Sequence, residues 1–284
     1  MEKIIFFCTS HKSVDHLENF SPKIQMIGLG DISFPKTWID IRNRINISQK
    51  FFSYADLIAH YYVWKNLLPN YNENQWIGFC QYRRFWLKHK ITKTYPLSSL
   101  DNLILTEPDL SWKDYDVIMP TPFIFKKKIK ELFNNFFLFK FLKNFDLIKY
   151  YTKVQKQFED SLGPGGREII MDIIKILPDS EKIGFKNFLN ERSYLSAHGM
   201  YISKKKIINS YSETLFSWFL KCENIINKNN NLSLLKNQRI FQYINERFLD
   251  YWMSKNVRVN RWPIAMYNKE KAIITQIGKI NCKN

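Results

Sequence analysis

The spacing of apolar residues predicts short strands in the first half of the chain and long helices in the second. The predicted strands are Glu2–Thr9, Ile24–Leu29, Trp76–Cys80, Asp116–Met119 and Ser196–Ser203. A helix is predicted over Ser48–Leu68, where Pro69 ends it, and further helical patterns extend to about Lys255. This alternation predicts an α/β fold in which helices flank a sheet and the C-terminal half is helix-rich.

The chain is long enough to bury one large core. It has 284 residues, of which 45% are hydrophobic, and this length suits a single α/β domain. The most pronounced internal break, Gly163-Pro164-Gly165-Gly166, is too short to link independent domains. We therefore predict one domain over residues 1–262, strand-rich over 1–122 and helix-rich over 123–262, with a basic C-terminal tail over 263–284.

The most informative segment is the apolar run that begins at Trp76 and stops at the polar sequence Gln81-Tyr82-Arg83-Arg84. Ligands of α/β proteins bind at the carboxyl ends of strands. Two adjacent guanidinium groups offer fork-shaped donors that match the oxygens of a diphosphate. This segment therefore predicts a nucleotide site. The alternative is that one of the two arginines forms a structural salt bridge or caps a helix.

Several short motifs follow one another in a fixed order along nearly the whole chain. They are Thr9-Ser10-His11-Lys12, Asn46-Ile47-Ser48, Trp64-Lys65-Asn66, Tyr82-Arg83-Arg84-Phe85, Tyr115–Pro120, Met200-Tyr201-Ile202, and Arg239 with Glu246-Arg247. In this order the chain resembles the bacterial capsule and O-antigen glycosyltransferases long catalogued as a domain of unknown function, a family associated with galactofuranosyl transfer. The resemblance implies a GT-A-like fold and inverting transfer from a UDP-sugar, with UDP-galactofuranose as a candidate, to a lipid-linked surface glycan.

The resemblance also implies roles for individual residues. Those expected to bind the donor are Thr9, His11, Lys12, Gln81, Tyr82, Arg83 and Arg84, and those expected in the acceptor or sugar pocket are His198, Met200 and Arg239. Inverting transfer needs a carboxylate that takes the proton of the acceptor hydroxyl, and the two candidates are Asp56 and Glu246. Asp56 has an alternative as an ion-pair partner of Arg42 or Arg44. The alternative for Glu246 is an exposed, salt-bridged helix face that also carries Asp250.

Three positions depart from the family pattern. Gln81 stands where the family usually has His, Asp56-Leu57-Ile58 replaces Glu-Leu-Thr, and Gly199-Met200-Tyr201 replaces Asn-Met-Phe. The change at Gly199 indicates a remodelled sugar pocket. The changes at Gln81 and Gly199 together leave open an inactive scaffold of a glycan-assembly complex.

The departing diphosphate can be stabilised by a divalent metal or by fixed cations. The sole Asp-x-Asp sequence, Asp114-Tyr115-Asp116, precedes a predicted strand, whereas a metal-holding pair of this kind follows one. We therefore predict no metal site and no cofactor, with the UDP-sugar as a substrate. Arg83, Arg84 and Lys12 would neutralise the diphosphate.

The chain carries a formal net charge of +17 and has a pI near 9.6, so an anionic partner is expected. Residues 123–151 combine lysines with bulky apolar side chains and contain no Gly or Pro, a pattern typical of an interfacial helix that binds anionic lipid. A core helix with solvated lysines fits the pattern equally well. No apolar run is long enough to span a membrane. The expected location is therefore cytoplasmic, peripheral on the inner face of the plasma membrane.

The same charge suggests a rival from another class, a basic nucleic-acid-binding protein. Its support is the abundance of Lys, Tyr, Phe and Trp, which could contact phosphates and stack on bases. Against it, residues 123–151 are more apolar than a nucleic-acid groove needs, and no known nucleic-acid-binding signature occurs. We therefore predict no nucleic-acid partner.

Overall fold

A computed structural model describes residues 3–14, 24–125, 152–228 and 239–278. The strands are β1 (Ile5–Ser10), β2 (Ile24–Gly28), β3 (Ile39–Asp40), β4 (Trp76–Gln81), β5 (Arg84–Trp86), β6 (Tyr95–Pro96), β7 (Val117–Pro120), β8 (Phe123–Ile124), β9 (Tyr194–Leu195), β10 (Ile202–Lys204), β11 (Val259–Trp262), β12 (Ile264–Asn268) and β13 (Ile273–Ile277). The α-helices are α1 (Phe51–Tyr54), α2 (Leu57–Tyr62), α3 (Leu100–Leu103), α4 (Val154–Leu162), α5 (Gly166–Lys175), α6 (Asp179–Glu191), α7 (Lys205–Lys228) and α8 (Ile240–Asn256).

The central sheet confirms the predicted α/β class. Strands β3, β2, β1 and β4 are neighbours in that order and run parallel. Strand β10 is antiparallel to both β4 and β7, and β11 continues the sheet parallel to β7. The parallel register of β1 and β4 sets Thr9 opposite Gln81, so the carboxyl ends of two central strands meet at one edge, where ligands of such sheets bind.

Neighbouring residues of a strand point to opposite faces of the sheet, and here both faces are covered by a hydrophobic core. Phe7 and Phe79 belong to a core that includes buried residues of the C-terminal helices, such as Phe248 of α8. Phe6 and Cys80 belong to a second core on the other face. Strands buried on both faces read as continuous apolar runs, which explains why β1 and β4 were predicted correctly.

The predicted helix over Ser48–Leu68 is wrong as a continuous element. A 3-10 turn and α1 end at Ala55, whose φ of 48° breaks the helix. Helix α2 then begins at Leu57 and continues as a π-helical turn over Val63–Leu67. A left-handed backbone at alanine is costly and cannot be read from apolar spacing.

The predicted strand over Ser196–Ser203 is also wrong for most of its length. Strand β9 ends at Leu195, and β10 begins only at Ile202. Between them, His198 and Gly199 have φ values of 80° and 62°, which no strand accommodates. The intervening residues form a loop at the carboxyl edge of the sheet.

Three further predictions concern the C-terminal tail, the basic-aromatic segment and membrane-spanning helices. In the described part of the predicted tail, β12 pairs with β5 and β13 with β6; the division at residue 262 stays a prediction. Of the basic-aromatic segment, residues 126–151 lie outside the described residues. Among the described helices, none has the length and apolar character required to cross a bilayer.

Candidate functional site

Six polar residues meet at the carboxyl ends of β1 and β4, and we call them the strand-end cluster. They are Thr9, Asp56, Gln81, Arg84, His198 and Glu246. Thr9 and Gln81 end the two strands in register, and the backbone N–H of Tyr82 donates to the carbonyl of Thr9 at 2.9 Å. Residues from the front half of the chain and from α8 are therefore held together by the sheet.

Asp56 is fixed by two side-chain hydrogen bonds. Thr9 Oγ1 donates to Asp56 Oδ1 at 3.2 Å, and Gln81 Nε2 donates to Asp56 Oδ2 at 2.5 Å. Burial raises the pKa of this carboxyl, while the Thr9 bond and the positive charges of Arg239 and Arg84 oppose the rise. The alternative pairing with Arg42 or Arg44 is wrong: among the described residues neither forms an ion pair with Asp56, and Arg42 binds Asp40 at 2.9 Å.

The side chain of Gln81 is engaged on all sides. Besides Asp56, its Nε2 donates to the carbonyl of His198 at 3.0 Å, and its Oε1 accepts a hydrogen bond from Arg84 Nη1. Gln81 is 9% exposed. The donor contact expected of Gln81 stays a prediction; in the structure its side chain links Asp56, Arg84 and the His198 carbonyl.

Glu246 joins the cluster from α8. The backbone N–H of His198 donates to Glu246 Oε1 at 2.9 Å, while Arg247 Nη1 lies 3.4 Å from Glu246 Oε2. Burial raises the pKa of Glu246, opposed chiefly by the charge of Arg247. The alternative of an exposed, salt-bridged face is wrong, since the Glu246 side chain is only 15% exposed. Asp250 on the same face is fully buried.

The two adjacent arginines take different positions. Arg83 is exposed, and its guanidinium carbon lies 5.1 Å from the ring centre of Tyr82. Arg84 is half-buried, and its Nε has no hydrogen-bond partner among the described residues. Burial lowers the pKa of Arg84, with a further contribution from the positive charge of Arg83. Neither forms an ion pair with a described carboxylate, so both charges remain available to a ligand.

His11, Lys12, Arg83 and Arg239 form a cationic rim above the strand-end cluster. The His11 ring meets the Tyr82 ring edge-on at 5.1 Å. Burial lowers the pKa of His11, and the charges of Arg239, Lys12 and Arg83 lower it further. The charges of Arg239, Lys12 and Arg83 therefore all reach the His11 ring. His11 itself is neutral at pH 7, and the net positive charge of the rim comes from its Lys and Arg members.

The predicted acceptor pocket is only partly assembled. Burial lowers the pKa of His198 to about 3, and its Nε2 has no hydrogen-bond partner in the described structure. Its ring meets Phe123 edge-on at 5.2 Å. Arg239 precedes α8 and contributes to the cationic rim. Met200 is 1% exposed and belongs to the apolar core on the other face of the sheet, so the structure does not bring its side chain to the cluster.

A cavity of about 700 Å³ adjoins the rim, and sequence reasoning missed it. We call it the β2–β3 cavity, and its lining includes Gly28, Gly30, Phe34, Arg42 and Phe52. Phe52 of its lining contacts a rim residue, since the carbonyl of Phe52 accepts a hydrogen bond from the backbone N–H of Arg239 at 3.3 Å. Gly28, at the end of β2, was the available signal: a Cβ there would lie 2.3 Å from the Phe34 ring.

Backbone strain is concentrated at this site. Among the described non-glycine residues, positive φ occurs at Ala55, His198, Arg239 and Ala272, and the first three adjoin or belong to the strand-end cluster or the rim. Strained conformations of this kind cost of order 1–3 kcal/mol each and cluster at functional sites. The fold therefore tolerates strain where it positions Asp56, Glu246 and the rim.

The Asp-x-Asp sequence lies away from the cluster. Asp116 accepts a hydrogen bond from the backbone N–H of Arg258 at 3.1 Å and contacts its Nε at 3.3 Å. Within the described ranges, no three His, Cys, Asp or Glu side chains gather as a metal site would require. The predicted independence of a metal stays a prediction.

One solved structure matches the whole chain: WbbM, a bifunctional glycosyltransferase in its apo form, with a TM-score of 0.62 and 17% sequence identity. All of this chain is covered, but only 48% of that structure, so the chain spans about half its length. At this identity the likeness establishes the fold alone. No curated protein matches the chain. The profile described as Domain of unknown function (DUF4422) matches residues 5–257, and the chain belongs to that family.

Proposed function

We propose that the protein is a glycosyltransferase that moves a sugar from a UDP-sugar to a glycan acceptor at the strand-end cluster. The observation that carries the proposal is the placement of unpaired guanidinium groups beside two oriented carboxylates at the carboxyl edge of the sheet. Group transfer from a nucleotide-sugar needs both parts: cations for the leaving diphosphate and a base for the incoming hydroxyl. A basic nucleic-acid-binding surface would not need the carboxylates.

The donor would occupy the β2–β3 cavity and the rim together. The cavity is large enough for a nucleoside, and its aromatic lining includes Phe34 and Phe52. The diphosphate would then lie on the rim, where Lys12, Arg83 and Arg239 supply positive charge, and Arg84 Nε would donate from below. Each charge-assisted bond contributes about 1.5–3 kcal/mol in such a site.

Glu246 is the better candidate for the base. Both oxygens of Asp56 accept short or moderate hydrogen bonds, at 2.5 and 3.2 Å, whereas Glu246 Oε2 has only the 3.4 Å contact with Arg247. This oxygen keeps the most lone-pair capacity for an acceptor hydroxyl. In an inverting reaction, the hydroxyl oxygen would attack the anomeric carbon, its proton would pass to Glu246, and UDP would leave against the cations.

The family resemblance supports a candidate for the sugar and for the acceptor. We propose galactofuranose as the sugar and a lipid-linked capsule or O-antigen glycan as the acceptor. Residues 123–151 would hold the enzyme on the anionic inner face of the plasma membrane. His198, neutral because its pKa is about 3, would offer Nε2 to a hydroxyl of the bound sugars.

The experiment is a binding and turnover panel with the purified full chain. Calorimetric titration with UDP, ADP and a DNA duplex measures ligand class, and UDP release from UDP-galactofuranose, UDP-galactose and UDP-glucose measures donor use. We expect UDP binding in the presence of EDTA, and UDP release with a single preferred donor. Binding of the duplex without any UDP binding would refute the proposal. UDP binding without turnover of any donor would indicate the inactive scaffold instead.

A further inference from the structure

The contacts of Gln81 have a specific arrangement of charge. Its Nε2 faces the Asp56 carboxylate and its Oε1 faces the Arg84 guanidinium, so one neutral amide stands between an anion and a cation. The third contact, from Nε2 to the carbonyl of His198 at 3.0 Å, fixes the orientation of the amide. Reversal of the amide would place its NH₂ against the guanidinium and its oxygen against the carboxylate.

The two charged groups do not contact each other. Across the described chain, the ion pairs include none between Arg84 and either Asp56 or Glu246. The charge of Arg84 nevertheless opposes the burial-driven rise in the pKa of Asp56. The groups are therefore close enough to attract each other across the width of one amide. In a half-buried setting, such an attraction favours direct pairing once nothing intervenes.

We propose that Gln81 is a positioning residue that acts as a neutral spacer, keeping Arg84 from collapsing onto Asp56 so that the guanidinium stays open to a diphosphate. That the open guanidinium binds a diphosphate rests on the proposed function. The separation of Arg84 from Asp56 by Gln81 does not. A guanidinium bound to Asp56 would have its charge compensated and its donors occupied. The strand-end cluster would then have no open guanidinium to offer to a diphosphate on the rim.

An amide suits this role for two physical reasons. It accepts from the cation and donates to the anion through opposite ends, and it carries no charge that would alter either partner. The strand fixes its place, because Gln81 ends β4 and pairs with Arg84 across the tight connection to β5. Both N–H groups of the Gln81 amide donate within the protein, so the side chain has no donor left for a diphosphate oxygen.

The first test is Gln81→Leu, which shortens the side chain and removes all three of its hydrogen bonds. A crystal structure of this variant without ligand should show an Arg84 nitrogen within about 4 Å of an Asp56 oxygen, the distance of an ion pair. Arg84 remaining in its present place would overturn the proposal. This readout needs no donor, so it decides the spacing even if the wild-type protein binds no UDP and the proposed function fails.

The second test is a double-mutant cycle read by UDP affinity. In the wild-type background, Gln81→Leu should weaken UDP binding by about tenfold, the loss expected for one good charge-assisted bond. In the Asp56→Asn background, which contains no carboxylate to capture Arg84, the same change should cost less than about twofold. An equal loss in both backgrounds would overturn the spacer role, because a direct donor contact or a folding defect would give that result.

Gln75→Leu is the matched control. Gln75 immediately precedes the other end of β4, and its Nε2 donates to the carbonyls of Lys3 and Trp76 at 2.8 and 3.2 Å. The Gln75→Leu variant therefore loses amide hydrogen bonds at the end of β4 opposite to the strand-end cluster. UDP affinity within about twofold of wild type is expected for this variant, since no charged ligand group is involved. A tenfold loss there would assign the Gln81 effect to β4 stability and refute the spacer.

Discussion

Glu246 and Asp250 lie one turn apart on α8 and both carry a carboxylate, yet they differ in burial and in hydrogen bonding. Asp250 is fully buried: Arg261 Nη2 donates to its Oδ1 at 2.7 Å, and the backbone N–H of Ser196 donates to its Oδ2 at 2.8 Å. Glu246 keeps one good hydrogen bond and one long contact with Arg247. A fully paired carboxylate stabilises the protein, whereas one with lone pairs to spare is available to a ligand.

The comparison also explains how the loop between β9 and β10 is held. Asp250 fixes Ser196 at its start, and Glu246 fixes His198 two residues later. Arg261 of β11 adds a further hydrogen bond to Ser196 Oγ. Both carboxylates therefore shape the same loop, but only Glu246 does so at the strand-end cluster. Substitutions can separate a stabilising role from a chemical one.

The largest expected effect is that of Glu246→Gln on turnover. Removal of a general base typically lowers kcat by about 10²–10⁴-fold, and the amide cannot take the acceptor proton. UDP affinity should stay within about twofold, since Glu246 does not contact the diphosphate in this proposal. Steady-state kinetics with the preferred donor and calorimetry with UDP measure the two quantities. If kcat were unchanged, the base would have to be sought at Asp56.

The matched change one turn away, Asp250→Asn, should act on stability. An uncharged partner leaves the half-buried Arg261 guanidinium uncompensated, and breaking a buried pair costs up to about 3–5 kcal/mol of unfolding free energy. Urea denaturation measures the loss. UDP affinity at a temperature where the variant is folded should be near that of wild type. A variant as stable as wild type, with impaired binding, would reverse the assignments of the two carboxylates.

The sequence was most informative where chemistry is carried by residue type at a strand end. Arg84 was predicted at the end of an apolar strand, Asp56 within an apolar helix and Glu246 on a helical stripe. The structure brings the three side chains together, while their roles stay predictions. The partners of the charged residues were not predicted. The pairing of Arg42 with Asp40 and of Asp250 with Arg261 depends on side-chain geometry, which apolar spacing does not encode.

The misplaced elements have one physical cause. Ala55 and His198 adopt positive φ, a conformation that local propensity does not favour at either residue. The surrounding packing imposes it, and the predicted helix and strand both fail at those points. The β2–β3 cavity was missed for a related reason: it is formed by elements brought together by the sheet, and among its signals only Gly28 and Gly30 are visible in the chain. The periodicity of apolar residues predicts individual helices and strands, but it does not predict a site formed by contacts between them.

A smaller effect should distinguish the two adjacent arginines. Arg84→Met removes a half-buried guanidinium and should weaken UDP binding by about tenfold or more, corresponding to at least one charge-assisted bond. Arg83→Met removes an exposed charge and should weaken UDP binding by a few fold at most. This loss should shrink at high salt more than the loss caused by Arg84→Met, because salt screens an exposed charge more strongly. Calorimetry at two ionic strengths separates the cases. Equal losses for both variants would mean that the two arginines grip the diphosphate together.

The smallest effect concerns pH and bears on the same pair of carboxylates. Glu246 must be deprotonated to act as a base, and burial raises its pKa above the ordinary glutamate value. The value of kcat/KM should therefore fall as the pH is lowered through this raised pKa. Because the positive charge of Arg84 holds that pKa down, Arg84→Met should move the acid limb to higher pH.

The control for this shift is Ser254→Ala, which removes a 3.5 Å contact with Asp250 Oδ1 and leaves Glu246 untouched. Its acid limb should coincide with that of wild type. Burial lowers the pKa of His198 to about 3 and keeps its imidazole neutral at pH 7, so His198 should not contribute a limb near neutrality. An acid limb that stays in place in Arg84→Met would show that Glu246 does not set the pH dependence.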